Sequence, residues 1–553
     1  MTHLLDLLSD GSHSRATLRF GPDQKPVTGD EVWRRAEDCA RWIGARTPAG
    51  KAVGMFLTLT PDTVPVVVGA WLAGVDLVSL PLPGRNPNLP GYLAMIEAIV
   101  RRLDLTLVLT ADGAELPLPS HPALRFAPFA AAREGGPPLR RSRPGALIQF
   151  TSGSTGAPKG IRISATALAA NVEAVIGRFA LDEGVRCCSW LPLSHDMGLI
   201  GALLTSWAAA GRSRAGAGDI VLSTPEAFRH DPLSWLRDCS DHGADYTLVP
   251  NFALDLVAAR LADGGAPLDL RPLRRLVVGS EPISAGTLER FAEAAQAAGL
   301  DERALCPAYG MAEVGVGVSA VAPGEVWSAA DVDSAALGRN RWLPEPSGTG
   351  HRFVGLGRPL DGVEVEVAPE PAGADGAPGT GDGTHGRIGY LRIRTRSLLT
   401  EYVTTEGPQQ VGEWLRTPDL GYVDASGEIF VTGRSQEVIV VAGRNLYATD
   451  IERAAQGVAV VRPGNCAAVP GKSGGYAVIA EPVPAHEIGV DAMRRFRVAL
   501  VQEVGLGPTE IIFVPRGTLS KTSSGKMRRS EIARQYHKDA YDVIARREFV
   551  WHP

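Results

Sequence analysis

Three charged residues and one loop, spread widely along the 553-residue chain, have the types and settings to do chemistry. The loop is Thr151-Ser152-Gly153-Ser154-Thr155-Gly156-Ala157-Pro158-Lys159-Gly160, which leaves the apolar run Ala146-Leu147-Ile148-Gln149-Phe150. Its hydroxyls and glycine N–H groups can donate hydrogen bonds, its glycines let the backbone approach closely, and its lysine adds positive charge. Those are the parts of a polyphosphate cradle. It is not a Walker A loop, because Lys159 stands between Pro158 and Gly160 and cannot open a helix in that register. The charged residues are Glu313 in Tyr309-Gly310-Met311-Ala312-Glu313, Asp419 in Trp414-Leu415-Arg416-Thr417-Pro418-Asp419, and Lys526 in Lys521-Thr522-Ser523-Ser524-Gly525-Lys526. Of 56 basic residues only seven are lysine, and Lys159, Lys521 and Lys526 fall inside two Ser/Thr/Gly motifs. Lysine is a compact, mobile point charge, and arginine does not replace it where such a charge must reach a phosphate.

Together these residues suit the activation of a carboxylate by ATP. A carboxylate oxygen must attack the α-phosphate, so two anions must meet, and cations, N–H donors and a metal have to offset the repulsion. Glu313 offers a hard oxygen for Mg²⁺. Tyr309 offers a flat face for adenine, Asp419 can accept both ribose hydroxyls, and Lys526 can reach carboxylate and α-phosphate together. Singly, each has a plainer use. Glu313 could be solvated, Tyr309 core, and Asp419 the start of a turn. His195 could be a structural histidine, and Lys521 and Lys526 part of a basic surface run. In this order and together, the plainer uses become improbable.

The elements that must position these groups are legible as alternating apolar runs and helical patterns, which predict an α/β fold. Strands are expected over 52–57, 77–82, 146–150, 273–279 and 390–394. Helices are expected over 62–73, 166–179 and 284–298, the last opened by a Ser284 cap. The Gly/Pro/Asp-rich stretch 369–386 reads as a loop between strands. Near Gly433-Arg434-Ser435-Gln436-Glu437 the texture changes, which predicts a boundary with domains at 1–435 and 436–553. With 44 % hydrophobic residues the chain can bury a large core. A net charge of −5 suggests neither nucleic acid nor an anionic membrane. No signal peptide and no membrane-inserted segment are expected. Six scattered cysteines support neither a zinc site nor a disulfide framework, which fits a cytoplasmic protein.

The constellation resembles the adenylate-forming superfamily of acyl-CoA synthetases, peptide-synthetase adenylation domains and luciferases, over about residues 30 to 540. Within it the chain is most similar to the fatty acyl-AMP ligases. The features that carry this are His195-Asp196-Met197-Gly198-Leu199-Ile200-Gly201, Pro250-Asn251-Phe252-Ala253, Gly279-Ser280-Glu281-Pro282, and Gly443-Arg444-Asn445-Leu446-Tyr447 with Asp450-Ile451-Glu452. The long segment from Tyr309 to Pro359 adds to them. The resemblance implies a large N-terminal adenylating domain of mixed α/β subdomains and a small mobile α+β C-terminal lid carrying Lys526. It implies an acid and ATP converted to an acyl-adenylate and pyrophosphate, then acyl transfer to the phosphopantetheine arm of an acyl carrier protein. By motif position, Thr151, Ser152, Ser154, Thr155 and Lys159 would hold the β- and γ-phosphates. Glu313 would hold Mg²⁺. Tyr309, with Gly310 and Met311 in its motif, and the backbone of Gly279, Ser280, Glu281 and Pro282 would hold adenine. Asp419 and Arg434 would bind ribose, and His195 would sit where acid, adenylate and thiol meet. The alternatives are an acyl- or aryl-CoA synthetase and a catalytically silent adenylate-binding protein.

The chain departs from the family in four places. Pro418 stands where glycine usually precedes the ribose-binding Asp. Gln436 and Glu437 replace the usual Lys-Asp of the hinge. Ala448 follows Tyr447 where proline is common. Gly211 to Asp219 replaces an apolar stretch and is expected to border the acyl pocket.

Overall fold

The structure, a computed structural model, describes the chain apart from residues 1, 10–15, 22–24, 84–88, 119–122, 140–142, 151–158, 213–217, 263–266, 349, 369–385, 442–443, 473, 485–487, 522–526 and 550–553. Of the groups singled out above, Thr151, Ser152, Ser154, Thr155, Gly443 and Lys526 therefore lie outside the described residues, as does most of the 369–386 stretch.

Two large sheets dominate the first 430 residues. One has nine strands, and its centre is parallel: Gly218–Leu222, Arg186–Ser189, Tyr246–Pro250, Arg275–Gly279 and Leu305–Gly310 lie side by side. Nearly every residue in these strands is buried. That is why they read as continuous apolar runs, as expected when helices cover both faces of a parallel sheet. The second sheet has eight strands and includes Ala52–Met55, Asp76–Ser79 and the hairpin Leu147–Phe150 with Gly160–Ile163. In that hairpin Phe150 faces Gly160, so the Ser/Gly-rich segment connects two antiparallel strands. Helix Ala165–Phe179 follows it, with the Ser164 hydroxyl accepting from Ala167 N–H.

A third, four-stranded antiparallel sheet holds Val363–Ala368, Gly389–Thr395, Leu415–Val423 and Ile429–Arg434. Its pairing explains how a proline is tolerated beside Asp419. Tyr390 faces Leu420 and Arg392 faces Arg416, so the register shifts around Pro418. A bulge is where a strand can do without an N–H. The Thr417 hydroxyl fills in, donating to Leu391 O at 2.8 Å and accepting from Asp419 N–H at 3.1 Å.

Beyond residue 438 come a hairpin, Val438–Val441 with Arg444–Tyr447, and a four-stranded sheet from Val461–Pro470 to Ala545–Glu548. Helices Ala448–Gln456, Val490–Val504 and Arg529–His537 accompany them. This small C-terminal part has its own apolar clusters, built on Ile451, Phe496 and Phe513 and on Ile479, Ile512 and Tyr536. A mixed cluster, with Trp342, Phe353 and Phe430 packed against Tyr447, joins it to the large part. The α/β class with a large N-terminal and a small C-terminal part is thus as read from the sequence.

Most boundaries fall within a few residues of expectation; for example, the helix expected over 62–73 spans Thr63–Leu72. One expectation is corrected. Ser284 does precede helix Ala285–Gln296, but its hydroxyl makes no capping bond, and its own N–H is held by Asn251 Oδ1. The 211–219 segment has described flanks at the amino-terminal end of strand Gly218–Leu222. There Asp219 pairs with Arg19 and His242, and Arg212 pairs with Glu173. The motif residues gather at the opposite, carboxyl ends of the strands, so these flanks do not border them. All six cysteines are buried and unbridged. Among the described residues, no helix is long and apolar enough to cross a membrane.

Candidate active site

The parallel strands deliver the motifs to one edge. Trp190 follows Arg186–Ser189, Asn251 follows Tyr246–Pro250, Ser280 follows Arg275–Gly279, and Met311 follows Leu305–Gly310. Ligands of open α/β sheets bind beyond such carboxyl ends. Backbone constraints mark the same edge. Ser280 has φ +73°, a left-handed conformation unusual for a side chain other than glycine. A Cβ on Gly310 would lie 1.8 Å from Val316 O, so only glycine fits there.

Tyr309 ends its strand buried, and its hydroxyl donates to Asp419 Oδ2 at 2.6 Å. Asp419 is 4 % exposed, and its Oδ1 accepts from Arg434 Nε at 3.2 Å. Strand register puts Asp419 opposite Arg434. Burial and the Asp419 charge hold the Tyr309 phenol well above its ordinary range, so it stays a donor. Each carboxylate oxygen has a further lone pair, and Asp419 can therefore accept from two more hydroxyls. The structure thus joins Tyr309, Asp419 and Arg434 into one set. The Tyr309 ring belongs to the main apolar cluster, and its hydroxyl serves Asp419.

Glu313 follows in a single helical turn. Its carbonyl accepts from Leu399 N–H at 2.7 Å, and its Oε1 accepts from the Tyr402 hydroxyl at 3.3 Å. Asn171 braces the turn beyond it, its Oδ1 accepting from Val316 and Gly317 N–H at 3.0 Å each. Burial raises the Glu313 carboxyl above its usual range, and the Asp419 charge adds to that. Lys159 reaches over the Tyr402 ring, Nζ 5.6 Å from the centroid. A Mg²⁺ ion is commonly held by one or two carboxylates plus substrate phosphates and water. Glu313, one half-buried carboxylate whose Tyr402 partner also meets a lysine, fits that role, and among the described residues no cluster of three or more ligating groups offers a protein-only cage.

Glu281 anchors its turn elsewhere, Oε1 accepting from Phe252 N–H at 2.6 Å at the start of helix Asn251–Ala262. A carboxylate there also meets the positive end of the helix. Phe252 packs edge-on to Trp190, which stacks on Phe228 at 3.9 Å. His195 Nδ1 lies 2.6 Å from Asp196 Oδ1, close enough to donate its proton there, and Met197 N–H donates to the same carboxylate oxygen at 2.7 Å, so Asp196 orients the ring through that nitrogen. The segment after it, Met197–Leu204, is a π-helix. Such turns are rare and concentrate at functional sites. A Cβ on Gly198 would lie 2.4 Å from Pro192 O, which accounts for the glycine after Asp196-Met197. Gln149, in the strand before the Ser/Gly-rich segment, donates to Ser194 O at 3.0 Å and ties that strand to the His195 motif. Sequence reasoning missed Tyr402, Asn171 and Gln149. They sit in ordinary strand and helix patterns, and nothing in composition or spacing marks them.

The pattern of AMP-binding enzymes matches residues 10–403. The chain is 32 % identical to the Mycobacterium tuberculosis protein named as ligase Rv1013, over 92 % of this chain and 95 % of that one. It is 29 % identical to the long-chain-fatty-acid–AMP ligase FadD32 of Mycolicibacterium smegmatis, over 93 % and 90 %. Among solved structures, one from a study of fatty acyl-adenylate ligases from E. coli and L. pneumophila superposes with a TM-score of 0.86 at 26 % identity, covering 98 % of each chain. The chain belongs to the AMP-binding enzyme family and is an adenylate-forming ligase that uses ATP.

Proposed function

We propose that this ligase converts a fatty or related carboxylic acid to its acyl-adenylate and passes the acyl group to the phosphopantetheine thiol of an acyl carrier protein. The observation that carries the first half is the Tyr309–Asp419–Arg434 set, its phenol and carboxylate buried, beside Glu313, an arrangement suited to accept from ribose hydroxyls and to offer a carboxylate to a metal. The second half rests on relatives named as long-chain-fatty-acid–AMP ligases, matched over about nine-tenths of both chains.

In this reading the phosphate loop with Lys159 holds the triphosphate, Asp419 and Arg434 hold ribose, and the Gly279-to-Pro282 turn with Tyr309 borders adenine. Lys526 bridges the acid and the α-phosphate, and His195 lies where the thiol arrives. A magnesium ion at Glu313 supplies charge neutralisation to the phosphates. The boundary is placed at 435/436, with residues 436–553 as a lid that turns between the two half-reactions. Glu437, at the hinge, is paired with Arg529 at 2.9 Å, and Arg529 stands three residues beyond Lys526.

The test offers ATP and a mixed acid library, identifies acyl-adenylates by mass spectrometry, and then compares free CoA with a phosphopantetheinylated carrier at matched concentration. Faster transfer to the carrier is expected. CoA brings a 3′-phosphate that needs its own cationic site, and without one its charge is left poorly compensated. Equal or faster acyl-CoA formation would replace this reading by an acyl-CoA synthetase. Failure of every acid to support pyrophosphate exchange would leave a silent adenylate-binding protein.

A further inference from the structure

We infer that Tyr402 is a positioning residue that links the phosphate-loop lysine Lys159 to the carboxylate Glu313 and so sets the enzyme's response to magnesium. The inference rests on the assignment of Glu313 to the metal. The geometry is specific. Strand Glu401–Thr404 pairs with Gly160–Ile163, the strand that continues directly from Lys159, and Tyr402 stands opposite Ile161. Lys159 lies immediately before that strand, two residues from Ile161, which brings it close to Tyr402. The ammonium of Lys159 lies 5.6 Å from the Tyr402 ring centroid, within cation–π range. The hydroxyl of the same ring donates to Glu313 Oε1 at 3.3 Å.

Glu313 is held a second time from this segment, since Leu399 N–H donates to its carbonyl at 2.7 Å. Thr400 N–H in turn donates to Arg162 O at 2.7 Å. The segment 399–402 is therefore a brace between the strand leaving the phosphate loop and the turn bearing the carboxylate. One side chain touches both the cation assigned to the phosphates and the anion assigned to the metal. If either shifts when nucleotide enters, Tyr402 carries the shift to the other.

Two variants separate the two ends of the link. Tyr402→Phe keeps the ring under Lys159 and removes the hydroxyl from Glu313. Tyr402→Leu removes both. Magnesium-dependent binding of a non-hydrolysable ATP analogue is measured by calorimetry on the full chain, alongside steady-state adenylation. Tyr402→Phe should raise the half-saturating Mg²⁺ concentration about two- to tenfold, as expected for loss of one hydrogen bond of ordinary strength, since 3.3 Å is long for a hydroxyl donor. This rise should exceed any fall in kcat, and nucleotide affinity without metal should change less than twofold. Tyr402→Leu should show the same Mg²⁺ shift and, in addition, a metal-free nucleotide affinity weakened about two- to fivefold by loss of the ring. Glu313→Gln is run beside them. If it shifts the Mg²⁺ response and Tyr402→Phe does not, the role of Tyr402 is overturned while the metal assignment stands. If Glu313→Gln leaves the response unchanged, the metal assignment falls and this inference with it. Equal loss of metal-free binding in the Phe and Leu variants would make Tyr402 a packing residue and overturn the link.

Discussion

Asp419→Asn isolates the proposed ribose contact with little change of shape. Asp419 is buried and accepts from Tyr309 and Arg434. The Arg434 side chain is 56 % exposed, so its pairing with Asp419 is worth only about 0–1 kcal/mol. The Tyr309 bond survives on the amide oxygen, falling from the ~1.5–3 kcal/mol of a bond to a charged group toward the ~0.5–1.5 kcal/mol of a neutral one. The variant should therefore fold, destabilised by about 1–2 kcal/mol. Nucleotide binding should suffer more. Two ribose hydroxyls would each lose the charged part of their acceptor, together about 2–3 kcal/mol, or roughly 30- to 150-fold in affinity. The assay is calorimetric titration of both proteins with ATP and with 2′-deoxy-ATP. The native protein should prefer ATP by about tenfold or more, since one hydroxyl to a charged acceptor is at stake, and the variant should lose most of that preference. If the variant keeps the full preference for ATP over 2′-deoxy-ATP, Asp419 does not touch the ribose, and the Tyr309–Asp419–Arg434 set is a piece of core architecture.

Three further outcomes are expected. Lys526→Ala should lower adenylate formation by about 10²–10³-fold, as for loss of a donor to developing charge, while transfer from a pre-made acyl-adenylate survives; near-normal pyrophosphate exchange would remove Lys526 from the mechanism. The Glu313 carboxyl is raised by burial, so on acidification it takes up its proton above the usual carboxylate pH. Magnesium affinity should therefore weaken as pH falls, beginning above that range, and Glu313→Gln should flatten the profile. For stability the sign is opposite: a raised carboxyl stabilises the fold below its unfolded pKa, and that contribution is lost as pH rises through the folded value. Burial pushes the thiols of Cys39, Cys187 and Cys306 up to about 12, so native protein should resist alkylation at pH 8–9 and react fully only after denaturation, which mass spectrometry of the adducts reads directly.

The sequence disclosed the pieces of the site far better than their mutual contacts. Glu313 and Asp419 stand out because their residue types suit the chemistry and recur in the right order with the other motifs, and Arg434 through the family resemblance. That Tyr309 bonds to Asp419 across 110 residues, or Tyr402 to Glu313 across 89, depends on which strands pair, and no local pattern encodes it. Strand identity was legible where a buried strand is a nearly continuous apolar run, as at Ala52–Met55 and Arg275–Gly279, and not at Arg186–Ser189 or Gly218–Leu222, which carry polar residues. Strand order was not: that the described flanks of 211–219 sit at the amino-terminal end of their strand, away from the motif residues, follows only from how the sheet is assembled. Pro418 shows the converse. It is a departure from the family pattern, and the register shift and the Thr417 hydroxyl accommodate it.

The meeting of three separate sheets at Tyr309, Asp419, Glu313 and Tyr402 has a consequence for how the molecule matures. None of these contacts is local, and loop-closure entropy must be overcome before any of them forms. A chain whose sheets have formed individually but not docked would carry every motif and bind nucleotide poorly. With the site as proposed, nucleotide affinity would report complete assembly. By mass action the ligand also stabilises only that assembled state, by about 2.7 kcal/mol at a hundredfold excess over its Kd. In a cell rich in ATP, the substrate would act as a selective stabiliser of correctly docked chains, and an Asp419 variant would be depleted in yield as well as in activity.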